Sequence, residues 1–169
     1  MIDYRGKTPE KTEKGIPLIT AKNVKILWFC EEPKEYISET IYEKIMTRGI
    51  PKANDVLFTT EGPLGNVCRV PSHYTKFCVG QRIITLQPKV EVLISEYLEY
   101  ALLTEDFQNK VIQQSTGSTV KGIRSKLFLE LSIPIPPLEL QKHFKNELIH
   151  LDKSKFSEDF FLNIKIFQL

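Results

Sequence analysis

The stretch that decides the fold is PKANDVLFTTEGPLGNVCRV, residues 51–70. Two runs rich in β-branched and other apolar residues, DVLFTT and NVCRV, flank the sequence EGPLG. Such runs are typical of β-strands, and glycine and proline between them are typical of a turn. The stretch therefore predicts two strands joined by a loop that carries Gly62 and Gly65.

Further strands and one short helix are predicted on both sides of this pair. Residues 16–24, IPLITAKNV, and residues 81–88, QRIITLQP, have the same strand-like composition, and Pro88 closes the second run. Ser38, followed by apolar residues at helical spacing, predicts a short helix that ends before Gly49. The first two-thirds of the chain should therefore consist mainly of short strands.

The pattern changes to a helical one from Ser95 onwards. Apolar residues recur near the 3.6-residue period over residues 95–114, which predicts an amphipathic helix. Residues 127–141, LFLELSIPIPPLELQ, form a strand-like run that three prolines interrupt. Because proline suits the first position of a helix, a second helix is predicted from about Leu138 towards the C terminus, about 45 Å long at 1.5 Å per residue.

Together these elements predict an α+β fold. We expect a small mixed or antiparallel sheet with flanking helices in a globular domain over residues 1–136. Residues 137–169 are expected to form a long helix that acts as a coiled-coil-like spacer.

The predicted C-terminal helix is longer than a domain of this size needs for its own core. Its apolar residues form a face that shifts along the helix. They are Phe144, Leu148, Leu151, Phe156, Phe160, Ile164 and Phe167. We expect this face to pack on another helix, from a second copy or a partner chain; the alternative is that it folds back on its own domain.

Composition and cysteine content limit the class of protein. The chain has 169 residues, 41% of them hydrophobic, which suits one domain with an appendage. No run approaches the roughly 18 apolar residues of a membrane span, and the start MIDYRGKTPEK contains no apolar signal core, so we expect a cytoplasmic protein without membrane contact. The three cysteines show neither disulfide nor zinc spacing.

Charge is segregated along the chain. Residues 62–90 and 107–129 contain lysine and arginine but no acidic residue, whereas residues 91–106 contain five acidic residues and no lysine or arginine. Clustered cations create a local field that attracts a polyanion, so one face of the domain could be basic although the net charge is only +2. The alternative is that these charges intermix on the folded surface.

Known catalytic motifs do not match. Residues 115–126, STGSTVKGIRSK, have two glycines at the spacing of a phosphate-binding loop, but Ile123 and Arg124 stand where that loop needs lysine and a hydroxyl. His73, His143 and His150 show no metal-ligand spacing. We therefore expect no catalytic residue, no metal site and no cofactor in this chain.

Two glycine-bearing loops, TTEGPLGN and STGSTVKG, each adjoin an acid-free basic segment. Glycine lets a backbone approach another surface closely, and the hydroxyls of Ser118 and Thr119 suit phosphate oxygens. These groups fit a nucleic-acid backbone. The simpler alternatives are a hairpin turn for the first loop and a helix exit at Gly117 for the second.

The ordered runs GKTPEKTEKGIPLITAKNV, EYISETIYEK, PKANDVLFTTEGPLGNVCRV, GQRIITLQP and STGSTVKGIRSKLFLELSIPIPPLELQ resemble the target-recognition domain of type I restriction-modification specificity (S) subunits. The resemblance implies a non-catalytic module that reads one part of a split double-stranded DNA target. It also implies docking of methyltransferase (M) subunits that carry S-adenosylmethionine, and indirect association with a restriction (R) subunit.

The resemblance covers only half of such a subunit. Family members carry two recognition domains held apart by antiparallel helices, and one domain is visible here. We therefore expect a half-subunit or fragment that forms a homodimer or pairs with a second S half through the C-terminal helix. The alternative is a truncated or stand-alone module that acts mainly through protein–protein contacts with a methyltransferase or another S subunit.

Candidate DNA-binding residues follow from side-chain chemistry. Cations can neutralise phosphates, whereas Asn, Gln and Arg can each form two hydrogen bonds to a base edge. The phosphate candidates are Lys7, Lys22, Lys121, Arg124 and Lys126; the base candidates are Asn23, Gln81 and Arg82; and the loop candidates are Thr20, Thr60, Gly62, Gly65, Ser118 and Thr119.

Overall fold

The computed structural model describes residues 1–4 and 6–150. The strands are β1 (Ile2–Asp3), β2 (Ile16–Ile19), β3 (Tyr36–Ile37), β4 (Val56–Thr60), β5 (Leu64–Arg69), β6 (Cys78–Val79) and β7 (Ile83–Leu86). The helices are α1 (Glu39–Ile45), α2 (Ser95–Ala101), α3 (Glu105–Gln114), α4 (Ser125–Phe128) and α5 (Leu138–His150), with a 3₁₀ turn at Met46–Arg48. This arrangement confirms the α+β class.

The strands form two sheets. A four-stranded antiparallel sheet has the order β1-β7-β4-β5, and a three-stranded sheet has the order β3-β2-β6. In the smaller sheet β2 is antiparallel to β3 and parallel to β6, so that sheet is mixed. The β4–β5 pair is the hairpin predicted from residues 51–70, with Phe58 opposite Val67.

Alternating side chains along the strands organise the domain into four layers. Val56 and Phe58 on β4 pack among residues of α2, α3 and α4, whereas Leu57 packs on the opposite face against residues of the smaller sheet such as Ile19. Leu18, next to Ile19, packs against α1. This alternation is the period-2 pattern of strands that are buried on both faces. The order of layers is α2–α4, the large sheet, the small sheet, and α1.

The long helix predicted over residues 95–114 is two helices. α2 ends at Ala101, and the hydroxyl of Thr104 accepts a hydrogen bond from the amide of Phe107, which caps the start of α3. A threonine at this position satisfies one of the free amides of the first helical turn. The break lets buried residues of both helices face the same sheet.

The strand-like run at residues 127–137 is not a strand. Its first residues belong to α4, which buries Phe128, and the proline-rich remainder pairs with no strand. Phe128 packs against Phe58 and Phe107, with ring centroids 4.7 and 5.9 Å apart. The apolar side chains at the start of this run thus pack in the core from a short helix. The prolines lack the backbone N–H donors that a strand would need.

The helix predicted from Leu138 begins there and is described as far as His150. Phe144, expected to face a partner chain, instead packs edge-on against Tyr97 and Tyr100 of α2, with centroids 6.0 and 5.3 Å apart. This is a correction to the expected partner face. Leu148, also on that face, is half-buried. The members from Leu151 to Phe167, and most of the expected spacer, lie outside the described residues. No helix within the described ranges is both long and apolar enough to cross a bilayer.

Candidate nucleic-acid interface

The two glycine-bearing loops predicted from the sequence meet in the structure. The amide of Ile123 donates to the carbonyl of Thr60 at 3.0 Å, and Glu61 forms an isolated β-bridge with Gly122. Thr116 and Gly122 exchange two backbone hydrogen bonds of 2.9 Å, which close the second loop on itself. The tip of the β4–β5 hairpin and the loop after α3 therefore form one continuous piece of surface.

The start of β7 lies beside the hairpin tip. The amide of Thr60 donates to the carbonyl of Arg82 at 2.9 Å. The exposed guanidinium of Arg82 lies 3.4 Å from a carboxylate oxygen of Glu61. This adjacency follows from the antiparallel pairing of β4 and β7, which places Thr59 opposite Ile83.

The N-terminal segment and the end of β2 adjoin the same region. The side-chain carbonyl of Gln81 accepts a 3.2 Å hydrogen bond from the hydroxyl of Thr8, and its amide donates to the carbonyl of Gly6. Gly80 donates to the carbonyl of Ile19 at 2.8 Å, which places Thr20 next to it. We call the surface formed by residues 60–63, 81–82 and 115–124 the loop surface.

Most of the predicted site residues are exposed on or beside this surface. Gly62 lies at the hairpin tip with a φ of 48°, a left-handed conformation that glycine adopts without strain. A shallow depression of about 240 Å³ is lined by polar and small groups, including Thr60, Gly122 and Arg124. The other exposed candidates are Lys7, Lys22, Gln81, Arg82, Ser118, Thr119, Lys121 and Lys126. A polyanion could therefore meet several cations, hydroxyls and backbone groups together.

Gly65, in contrast, is buried. Its φ is 90°, and a side chain at this position would collide with the amide of Gln108 on α3. That amide donates to the carbonyls of Gly65 and Leu102 at 3.1 and 2.7 Å. Gly65 thus allows α3 to pack closely on the hairpin, which corrects its prediction as a contact residue.

Asn23 is also buried, with 4% of its surface exposed. Its side-chain oxygen accepts from the amide and hydroxyl of Thr20, and its amide donates to the carbonyls of Cys30 and Pro33 at 2.9 and 3.1 Å. An amide whose donors are both used inside the chain has none left for a base. Asn23 is therefore a structural residue that holds the turn after β2, and this corrects its prediction as a base-contact residue.

The sequence reasoning missed one charged member of the loop surface. Glu61 lies between the hairpin tip and Gly122 and pairs with Arg82. The only sequence signal was its position in EGPLG, immediately before the acid-free segment. Lys22, a predicted cation, similarly lies 3.9 Å from Glu35, a carboxylate that Lys11 also approaches at 2.9 Å. The cations near the loop surface are thus partly neutralised from within the chain.

The groups with shifted pKa values serve packing rather than the loop surface. Burial raises the pKa of the Cys78 thiol to about 12, and it also raises the pKa of Cys68. Burial raises the pKa of Glu99 above its ordinary range, although Arg69 beside it acts in the opposite direction. Within residues 1–4 and 6–150, no group of three or more His, Cys, Asp or Glu side chains is arranged to hold a metal ion.

Comparisons with a family model and with a known protein point to the same family. A family model described as a type I restriction modification DNA specificity domain matches residues 4–156. The type I restriction enzyme MjaIX specificity subunit of Methanocaldococcus jannaschii is 27% identical over 155 residues, which cover 87% of this chain and 34% of that protein. This chain thus spans about a third of the length of that relative.

Two solved structures match this chain, and one of them superposes well enough to show a shared fold. The crystal structure of the HsdS subunit from Thermoanaerobacter tengcongensis superposes with a TM-score of 0.56 at 18% identity, covering 93% of this chain and 37% of that one. The type I restriction-modification system S subunit from M. genitalium gives a TM-score of 0.42 at 21% identity, covering 79% and 30%. The first of these matches shows a shared fold for nearly all of this chain.

Proposed function

The chain belongs to the type I restriction-modification DNA specificity family, and on that premise we propose that it binds double-stranded DNA in a sequence-specific manner. It acts as the recognition component of a type I complex and positions methyltransferase subunits on a split target. The chemistry of methyl transfer and cleavage then belongs to partner subunits, and this chain contributes no catalytic residue and no cofactor site.

The observation that carries the proposal is the meeting of the two glycine-bearing loops. Residues 60–63 and 115–124 are 50 or more positions apart in sequence, yet they are joined through Thr60 and Ile123. Each loop exposes small residues whose backbone can approach a phosphate, and the second also exposes Lys121 and Arg124. Phosphate contacts of this kind fix the register of a protein on a duplex.

Residue roles can be assigned by chemistry within this proposal. Lys121 and Arg124 bind phosphates, and the hydroxyls of Ser118 and Thr119 donate to phosphate oxygens. Arg82 is the proposed reader of guanine, because a guanidinium can donate to both acceptors of the guanine edge. Gln81 is the proposed reader of adenine and must exchange its present hydrogen bonds with Thr8 and Gly6 to do so.

The remaining predicted contacts lie at the margins of the loop surface. Thr20 and Lys22 follow β2, Lys7 belongs to the N-terminal segment, and Lys126 lies in α4. Their cations would add to the attraction of a duplex that passes over the loop surface, without reading its sequence. Thr60 and Gly62 contribute the shape of the hairpin tip.

The partners proposed for the chain follow from the family. We propose that M subunits dock beside the domain, that an R subunit associates through them, and that a second S half pairs through α5. Two such halves related by a two-fold axis would favour a palindromic target.

A second candidate function is a module that acts mainly by binding a methyltransferase or another S subunit. The exposed apolar side chains of α5 favour it, since Leu140 is 58% exposed and Ile149 is 70% exposed. Both functions need α5, but only the first needs the loop surface.

The experiment that tests the proposal is enrichment of duplexes from a random library by the full chain, alone and with a type I methyltransferase subunit. Sequence-specific recognition predicts a reproducible DNA word after several rounds. Recovery of unselected sequences at low salt in both conditions, or recovery of no DNA, would contradict sequence-specific binding. Retention of the methyltransferase subunit without any DNA would favour the second candidate.

A further inference from the structure

Gln141 on α5 is fully buried, with 0% of its surface exposed. Its side-chain oxygen accepts a 3.0 Å hydrogen bond from the amide of Ile94, immediately before α2. Its side-chain nitrogen donates to the carbonyls of Val92 and Pro136 at 2.9 and 2.8 Å. The oxygen and both N–H groups of this side-chain amide thus bond three backbone groups, which belong to two separate segments of the chain.

Two further residues on the same side of α5, three and four positions after Gln141, also contact α2. Phe144 packs edge-on against Tyr97 and Tyr100 of α2. The ammonium of Lys145 lies 3.0 Å from a carboxylate oxygen of Glu96. We call Gln141, Phe144 and Lys145 the α5 anchor.

The α5 anchor continues into the large sheet through charged groups. Glu96 also binds the guanidinium of Arg69 at 3.2 Å, and Arg69 binds the buried carboxylate of Glu99 at 2.7 Å. The backbone amide of Arg69 donates to Glu99 as well, at 3.1 Å. Because Arg69 ends β5, the hairpin that carries Gly62 is linked through α2 to the first turns of α5.

We propose that Gln141 is a positioning residue that fixes the direction in which α5 leaves the domain. An apolar side chain of similar size could fill the same space, but it would allow α5 to rotate or slide. The amide of Gln141 cannot move without leaving buried backbone groups unpaired, so its hydrogen bonds select one orientation. The domain and the first turns of α5 then move as one rigid body.

This inference goes beyond the proposed function, since it concerns the geometry of the chain without DNA. If the proposed function holds as well, the orientation of α5 sets where a second recognition domain meets the duplex. This inference and the proposed function can fail separately, because α5 can be rigidly held in a chain that binds no DNA.

The orientation can be measured by pulsed electron paramagnetic resonance on the full chain. Spin labels are attached to cysteines introduced at Glu147 on α5 and Glu43 on α1. Both positions are exposed, and α5 packs on α2 whereas α1 packs on the small sheet. Cys30 is partly exposed and is replaced by Ser to prevent extra labelling. Cys68 and Cys78 are buried and are left unchanged. The width of the distance distribution reports how tightly α5 is held.

The matched variants are Gln141→Ala and Lys142→Ala. Lys142 is exposed on the same helix and pairs only with Glu139, at 2.9 Å, among the contacts described for its side chain. We expect one narrow distribution for the parent chain and for Lys142→Ala, and at least a twofold wider one for Gln141→Ala. Unchanged hydrogen exchange of β4 and β7 amides serves as the control for an intact domain.

A second variant covers the case in which Gln141→Ala does not fold. Gln141→Glu retains an acceptor for the Ile94 amide but offers at most one donor, the O–H of a protonated carboxyl, to the two carbonyls. It should therefore also widen the distribution at least twofold. A folded Gln141→Ala or Gln141→Glu chain with the parent width would overturn the proposal. So would a broad distribution in the parent chain, or failure of both variants to fold, which would make Gln141 a folding residue instead.

Discussion

The amide of Ile123 donates to the carbonyl of Thr60 at 3.0 Å, so the loop after α3 is hydrogen-bonded to the last residue of β4. This bond lies at the end of β4, where the hairpin tip begins. It converts two loops with separate positions in the sequence into one surface. The proposed function requires that this surface contact DNA.

The double variant Lys121→Ala/Arg124→Ala should bind random duplex DNA more weakly at low salt. Each phosphate neutralised by a cation contributes about 0.9 to the slope of log K against log salt, so the slope should become shallower by up to about 2. Fluorescence anisotropy titrations at several salt concentrations measure both quantities. The matched control is Lys52→Ala/Lys89→Ala, since these exposed lysines lie at the opposite ends of β4 and β7. Equal losses in both double variants would show that only net charge matters.

Glu61→Gln should strengthen the binding of random duplex DNA, by roughly two- to fivefold at low salt. The carboxylate of Glu61 lies on the loop surface and pairs with Arg82 at 3.4 Å, so its removal frees a cation and deletes a repulsive charge. The same titration measures the change, with Glu43→Gln on α1 as the control. Weaker binding by Glu61→Gln would mean that Glu61 orients Arg82 for contact and that their pairing is productive.

Gly65→Ala should destabilise the fold by about 2 kcal/mol, because it combines a strained positive φ with displacement of the Gln108 amide from its two acceptors. Urea unfolding followed by far-UV circular dichroism measures the loss. Gly80→Ala is the control, since its φ is not in the left-handed region and an added Cβ meets neighbours no closer than 3.4 Å. A neutral effect of Gly65→Ala would show that the hairpin and α3 adjust easily.

The pH dependence of stability should change in Glu96→Gln. Burial raises the pKa of Glu96, but hydrogen bonds from Lys145 and from backbone, together with the charge of Arg69, outweigh it, so the pKa lies below its ordinary value of 4.5. A carboxyl with a lowered folded-state pKa stabilises the fold above its unfolded-state pKa, and that stabilisation disappears as pH falls through the folded-state pKa. Glu96→Gln should therefore be less stable than the parent chain at pH 7, and the difference should vanish in acid. Urea unfolding at a series of pH values checks this, and a constant difference would contradict it.

Much of the fold could be predicted from local pattern. The strand-like runs at residues 55–60, 66–70 and 81–88 contain β4, most of β5, and β7, and Ser38 caps α1 as its sequence context indicated. These elements have strong periodicity or clear punctuation, which local sequence is sufficient to specify.

The missed elements depend on distant partners. β1, β3 and β6 have only two residues each and exist because longer strands pair with them. The break between α2 and α3 was also missed, because the apolar period continues through it and only the cap at Thr104 marks it. Residues 127–131 have strand-like composition, yet tertiary packing of Phe128 selects a short helix.

The candidate site was predictable in chemistry but not in arrangement. The glycines and cations of the two loops could be identified from sequence, but their contact through Thr60 and Ile123 is a tertiary fact. Asn23 and Gly65 are buried, unlike the other candidates. No local sequence pattern distinguishes a buried turn asparagine from an exposed one. The directional role of Gln141 likewise depends on Val92 and Ile94, which are more than 45 positions away.

The measurement that tests the central claim most directly is amide hydrogen exchange of the full chain with and without a duplex at low salt. We predict that bound DNA slows exchange in residues 60–63, 81–82 and 115–124 and leaves α1 unchanged. Protection confined to α1 or to the small sheet, or no protection of the loop surface under conditions in which the duplex is bound, would contradict the claim that this surface binds DNA.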